Sequence, residues 1–162
     1  MAYSLDAGFA GAWPRGFLRV VGWARARGVR VHCDAVQAAG KIPISCEALG
    51  VDYLVISAHK LGGPKGVGAL IVRRGAPCEA LFRGSAHERG RRGGTENLPG
   101  IVGLGLAAEL AARDLAGEST RLPALRARLE RGLREAVPDL VIHGERAPRL
   151  PNTVNASFPG AR

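Results

Sequence analysis

The sequence predicts an α/β fold in which a mostly parallel sheet carries one antiparallel strand, and three observations carry that expectation. Two short apolar runs rich in β-branched residues, Val29-Arg30-Val31-His32-Cys33 and Tyr53-Leu54-Val55-Ile56, have the length and composition of buried strands rather than helix segments. They end at Asp34 and Ser57, and the stretch between them supplies a crossover, with Gly40 and Gly50 as its stops. After Lys60 the connection Leu61 to Gly68 is rich in glycine and proline and too short for a second crossover, so the run Ala69-Leu70-Ile71-Val72 should return antiparallel beside the second strand.

Downstream, residues 83–97 are polar and glycine-rich, which predicts a loop of functional length. A helix is expected from about Thr95 to about Ala116, capped by Asn97 or Thr95, with Pro99 in its first turn. Gly117-Glu118-Ser119-Thr120 reads as a break, because Leu122, Leu125, Leu129 and Leu133 then repeat at helical spacing with arginines on the other face. Val137-Pro138 should end that second helix. Leu140 to His143 and Thr153 to Phe158 read as short strands. The division expected from this pattern is a segment 1–16, a larger α/β domain over 17–118 and the beginning of a smaller α+β domain over 119–162.

Composition narrows the function class. A hydrophobic content of 46% with 23% charged residues is that of an ordinary globular chain, and no apolar run approaches the roughly 18 residues of a membrane span. Met1 to Trp13 lacks the basic start of a secretory signal, which makes a cytoplasmic location the expectation. Cys33, Cys46 and Cys78 show no metal-ligand spacing and leave an odd thiol under any pairing, which suits a reducing compartment. The net charge of +9 invites a nucleic-acid reading, yet aromatic residues are only 5% and do not interleave with the basic ones as a stacking platform requires. Most of the positive charge is arginine spread through an alanine- and glycine-rich chain. Neither a nucleic acid nor a membrane is the expected partner.

Asp34 and Lys60 carry the chemistry. In open α/β sheets ligands bind outside the carboxyl ends of the strands, where both residues are expected to fall. A lysine partly desolvated there loses its proton more readily and can attack a carbonyl. A carboxylate beside it suits a cationic ring nitrogen, and the two together are the signature of pyridoxal phosphate chemistry.

At these residues the chain resembles the cysteine desulfurases, enzymes of the class V aminotransferase group with the large domain of pyridoxal phosphate fold type I. The likeness is carried by His32-Cys33-Asp34-Ala35-Val36-Gln37, Gly50-Val51-Asp52-Tyr53, Ser57-Ala58-His59-Lys60 with Gly63-Pro64-Lys65-Gly66-Val67-Gly68, the block from His87 to Asn97, and Leu150-Pro151-Asn152-Thr153. The blocks stand in the family's order and spacing from about Phe17 to Arg162. The resemblance implies that Lys60 holds the cofactor as a Schiff base and acts as general base. It implies that Asp34 meets the pyridinium nitrogen, that Gln37 meets the phenolic oxygen, and that Ser57 and His59 contact the phosphate. It also implies that Thr95 reaches the phosphate of a second subunit, and hence a homodimer. L-cysteine would be the substrate, alanine and an enzyme persulfide the products, and a sulfur-acceptor or iron–sulfur scaffold protein the partner.

The family's glycine- and threonine-containing phosphate loop, stacking histidine and ring-side asparagine have no counterpart in Met1 to Gly16. Its catalytic cysteine and substrate-binding arginine lie downstream of the part matched here. None of Cys33, Cys46 and Cys78 occupies the nucleophile's block. The expectation is therefore the central portion of such an enzyme, with weak cofactor binding and no desulfuration from this chain alone. A selenocysteine lyase, another class V aminotransferase, or a non-catalytic subunit that dimerises or binds acceptors are the alternatives.

Overall fold

The computed structural model describes residues 13–161; the expected non-matching segment 1–16 lies mostly outside the described residues. The first element is a helix, α1 (Arg15–Ala26), which begins directly after Pro14 and buries Val21 and Ala24. Trp13 packs on Phe17 with ring centroids 5.3 Å apart, and its indole donates to the Pro43 carbonyl at 3.2 Å. The sequence expectations assigned no helix here. Phe17, Leu18, Val21 and Ala24 nevertheless share one face of it, and this face meets the core formed with Cys33, Ala35, Ala38, Leu49, Val51 and Leu54.

Strand β1 (His32–Asp34) pairs in parallel with β2 (Tyr53–Ser57), His32 facing Tyr53 and Asp34 facing Val55. The strand expected from Val29 is thus regular only in its last residues. Upstream of them, the Val31 amide donates to the Asp52 carboxylate at 2.9 Å, so a side chain takes the place of a ladder bond. The crossover consists of tight turns over 35–41 followed by one helical turn, α2 (Cys46–Leu49), capped by the Ser45 hydroxyl and ended by Gly50 at φ +72°. From β2 the chain enters a 3₁₀ turn over Ala58–Lys60 and returns as β3 (Gly68–Val72), antiparallel to β2 with Ser57 opposite Gly68. The sheet order is β1-β2-β3, with two strands parallel and the third reversed, as the sequence predicts.

A single helix, α3 (Leu98–Ala136), runs unbroken for 39 residues. Asn97, not Thr95, caps it, its side chain accepting from the Gly100 amide at 3.1 Å. The break expected at 117–120 is absent, and the contacts there explain why. The Ser119 hydroxyl donates to the Leu115 carbonyl at 2.8 Å, while Arg121 clasps Glu118 through two bonds of 2.8 Å. Gly117 lowers helix propensity by only about 1 kcal/mol, and even Pro123 is accommodated. The division expected at residue 119 therefore falls inside α3.

Small residues let α3 settle on the turn that carries Lys60. A Cβ at Gly103 would lie 2.8 Å from the Pro64 ring, and one at Gly63 would lie 3.0 Å from Ala107. Beyond α3, β4 (Val141–Ile142) and β5 (Ala156–Ser157) form a small antiparallel sheet, shorter than the strands expected there. Arg149 at 2.7 Å from Glu130 ties the loop before β5 to α3.

Candidate active site

Asp34 closes β1, and the alternation of a strand sends the buried Cys33 to the core and Asp34 to the exposed side. One oxygen of Asp34 accepts the Val36 amide at 2.9 Å, which fixes the carboxylate at the mouth of the following turn. Among the described residues its other oxygen has no hydrogen-bond partner. Gln37 follows on that turn, and the two side chains line a cavity of about 220 Å³ together with Trp13, Ile42, Arg149 and Leu150.

Lys60 ends the 3₁₀ turn at the carboxyl end of β2. The turn is anchored from beneath: Ala58 is buried, its amide donates to the Val67 carbonyl, and its carbonyl receives the Leu61 and Gly63 amides. Within it the Ser57 hydroxyl and the His59 Nδ1 are hydrogen-bonded at 2.8 Å. Lys60 lines a second cavity, about 310 Å³, with Lys41, Asp114, Glu118 and Asn152. Lys60 and Asp34 thus stand at the ends of neighbouring parallel strands but open into adjacent spaces, divided by the turn that runs from Gln37 to Ile42.

Thr95 is exposed and belongs to neither cavity. Its loop is closed by a bridge between His87 and Arg92 and by a 2.7 Å contact between His87 and Glu96. Glu88 and Arg89 take positive φ there, a conformation that costs non-glycine residues energy and gives the loop a defined path. Sequence reasoning missed the His87–Glu96 pair and Lys41. Spacing gives no signal for either, since each depends on a partner from elsewhere in the sequence.

Two of the three thiols are held toward the neutral form. Burial, reinforced by the Asp34 carboxylate, pushes the Cys33 thiol up, and burial also raises that of Cys46, whose Sγ donates to the Val51 carbonyl. No group of three or more metal-ligating side chains occurs among the described residues.

The donor set fits pyridoxal phosphate chemically. It comprises a primary amine, a carboxylate with a free oxygen, a side-chain amide beside it, and a hydroxyl–imidazole pair at a strand end. These groups lie beyond the carboxyl ends of the parallel strands of a mixed sheet, which is where α/β proteins bind their ligands.

Comparison with known proteins resolves that class further. The family model "Aminotransferase class-V" matches residues 17–162. A cysteine desulfurase of Gluconacetobacter diazotrophicus is 53% identical over 131 residues, 81% of this chain and 33% of that protein. One from Sinorhizobium fredii is 51% identical, covering 82% of this chain and 34% of its own length. The solved NifS-like protein of Rickettsia africae superposes with a TM-score of 0.84 at 32% identity, covering 90% of this chain and 40% of that one. The chain belongs to the class-V aminotransferase family, and it spans about a third of the length of the curated relatives it matches.

Proposed function

We propose that this chain carries the lysine-bearing part of a pyridoxal phosphate-dependent cysteine desulfurase. The observation that supports it most is the pair formed by Asp34, which ends β1, and Lys60, which closes the turn directly after β1's parallel neighbour β2. The names of the two relatives, both cysteine desulfurases, indicate L-cysteine as the substrate and transferable sulfur as the product. In the complete enzyme that sulfur would pass to an acceptor protein, such as a scaffold for iron–sulfur clusters or a tRNA-thiolation factor.

Each residue's contribution follows from its chemistry. The free Asp34 oxygen would offer a negative charge to a protonated ring nitrogen, and Gln37, which lines the same cavity, would offer an amide to a ring oxygen. The Ser57–His59 pair offers donors to a phosphate at the strand end. When bound, the cofactor supplies an electron sink for the charge that develops at the substrate's Cα. Lys60 Nζ would supply the amine that holds the cofactor's carbonyl and the base to accept a proton from the substrate's Cα. Thr95 is exposed and does not cap α3, and in a homodimer it would reach the phosphate held by the second subunit.

Cys33 and Cys46 are both held toward the neutral thiol, which suits neither to accept the sulfur, and that role would fall to a thiolate of the complete enzyme. Residues 17–118 would belong to a large domain and residues 119–162 to the beginning of a small one, joined through α3.

The test is equilibrium binding of pyridoxal phosphate to the wild-type chain and to Asp34→Asn and Lys60→Ala. Asp34→Asn should weaken binding by roughly tenfold, the order expected for losing one charge-assisted hydrogen bond. Lys60→Ala should abolish the carbonyl-dependent absorbance change. Equal binding by all three proteins would refute the assignment.

A further inference from the structure

Lys41 lies outside every role considered so far, yet its position is specific. Its Nζ donates to the Ala39 carbonyl at 3.4 Å and to the Lys60 carbonyl at 3.3 Å. One ammonium therefore bridges the turn after β1 to the turn after β2, across 19 residues of sequence. It shares the 310 Å³ cavity with the Lys60 side chain. Neither lysine forms an ion pair among the described residues. The two carboxylates that line the same cavity are already engaged, Asp114 by Arg113 at 2.7 and 3.0 Å and Glu118 by Arg121.

We infer that Lys41 is a positioning residue, which clamps the main chain of Lys60 and holds a second positive charge at the mouth of the cavity into which Lys60 opens. The inference rests on reading Lys60 as the cofactor's amine. Three consequences of the geometry support it. The clamp acts on the carbonyl of Lys60 itself, so it sets the backbone from which that side chain extends. Among the described residues, the turn's other main-chain hydrogen bonds all run through Ala58. And Lys41 feels its neighbour: burial, and after it the charge of Lys60, make its ammonium give up its proton more readily than an ordinary lysine. The positive charge also suits an anionic ligand, because Arg113 and Arg121 already occupy the nearby carboxylates.

The test compares the full chain with Lys41→Met, which removes donor and charge, and Lys41→Arg, which keeps both. Lys41→Gln, a neutral donor, serves if the methionine variant does not fold. Pyridoxal phosphate is trapped with borohydride, and the adduct is apportioned among the lysines by peptide mapping. The share at Lys60 should fall about fivefold in Lys41→Met and return to within about twofold in Lys41→Arg, the scale of one modest hydrogen bond to a main-chain carbonyl. An unchanged share in Lys41→Met would overturn the proposal.

Two readouts need no cofactor. Amide exchange at Leu61 and Gly63 should accelerate in Lys41→Met, and the pH profile for acetylation of Lys41 should move to higher pH in Lys60→Met. A purely structural lysine distant from Lys60 would not show that second shift. If wild type forms no Lys60 adduct at all, the cofactor reading fails while exchange and acetylation still decide the clamp: unmoved rates and an unmoved profile overturn it.

Discussion

Asp52 shows how one side chain can hold several elements. It is 2% exposed, receives the Val31 amide at 2.9 Å, and is bound by Arg30 at 3.1 Å and by Arg73 at 2.5 and 3.2 Å. Burial alone would push its carboxyl up, but the hydrogen bonds from Arg73, Val31 and Arg30 outweigh burial and hold it at about 2, below its ordinary 3.8. A depressed folded value means that the stabilisation is complete above pH 3.8 and is lost as the pH falls toward 2. By linkage this amounts to roughly 2 kcal/mol, visible as acid sensitivity in urea unfolding between those two pH values. Asp52→Asn should cost about 2 kcal/mol at neutral pH, the amount that linkage assigns to the carboxylate charge, and should remove that acid sensitivity. The thiols give a second prediction at this scale. With Cys33 and Cys46 both raised, the chain supplied with L-cysteine and pyridoxal phosphate should release no sulfide above the free-cofactor background. Release that disappears on Cys33→Ser, Cys46→Ser or Cys78→Ser would contradict it. Strand alternation makes the outward Asp34 and inward Cys33 legible in the sequence. The roles of Asp52 and Lys41 were not legible, because both depend on partners from other elements that no local spacing reveals.

Among the elements, the three strands of the main sheet and their directions follow from the lengths of the connections. The short glycine–proline link after Lys60 leaves only an antiparallel return. The helix ends are less legible. Gly117-Glu118-Ser119-Thr120 has the composition of a break, but the Glu118–Arg121 clasp and the Ser119 back-bond let α3 run through it. A continuous helix makes Gly117 a propensity defect in open surroundings, where a Cβ would meet nothing within 4 Å. Gly117→Ala should therefore stabilise the chain by about 0.5–1 kcal/mol in denaturant unfolding. Destabilisation would instead indicate a bend at this point. The helix α1 is harder to read because the exposed Val20 and Trp23 place apolar residues outside the face that Phe17, Leu18, Val21 and Ala24 turn to the core.

On the scale of the whole molecule, apolar surface remains exposed in a pattern. Leu98, Val102 and Leu106 fall one helical turn apart along α3, and Leu81 and Phe82 protrude from the loop before it. A folded monomer rarely leaves such a stripe bare, and the chain corresponds to about a third of its relatives' length. The paired substitution Val102→Glu and Leu106→Glu should reduce binding of an apolar dye by about half or more, with far-ultraviolet circular dichroism unchanged; undiminished dye binding would show that the stripe is already covered. The arrangement of Asp34 and Lys60 on this frame is the central claim, and reductive trapping tests it most directly. The folded chain is incubated with pyridoxal phosphate, reduced with borohydride and mapped by peptide mass spectrometry. The account predicts a principal adduct on Lys60 that is lost in Lys60→Ala. Equal labelling of Lys41 and Lys65, or labelling that survives Lys60→Ala undiminished, would contradict it.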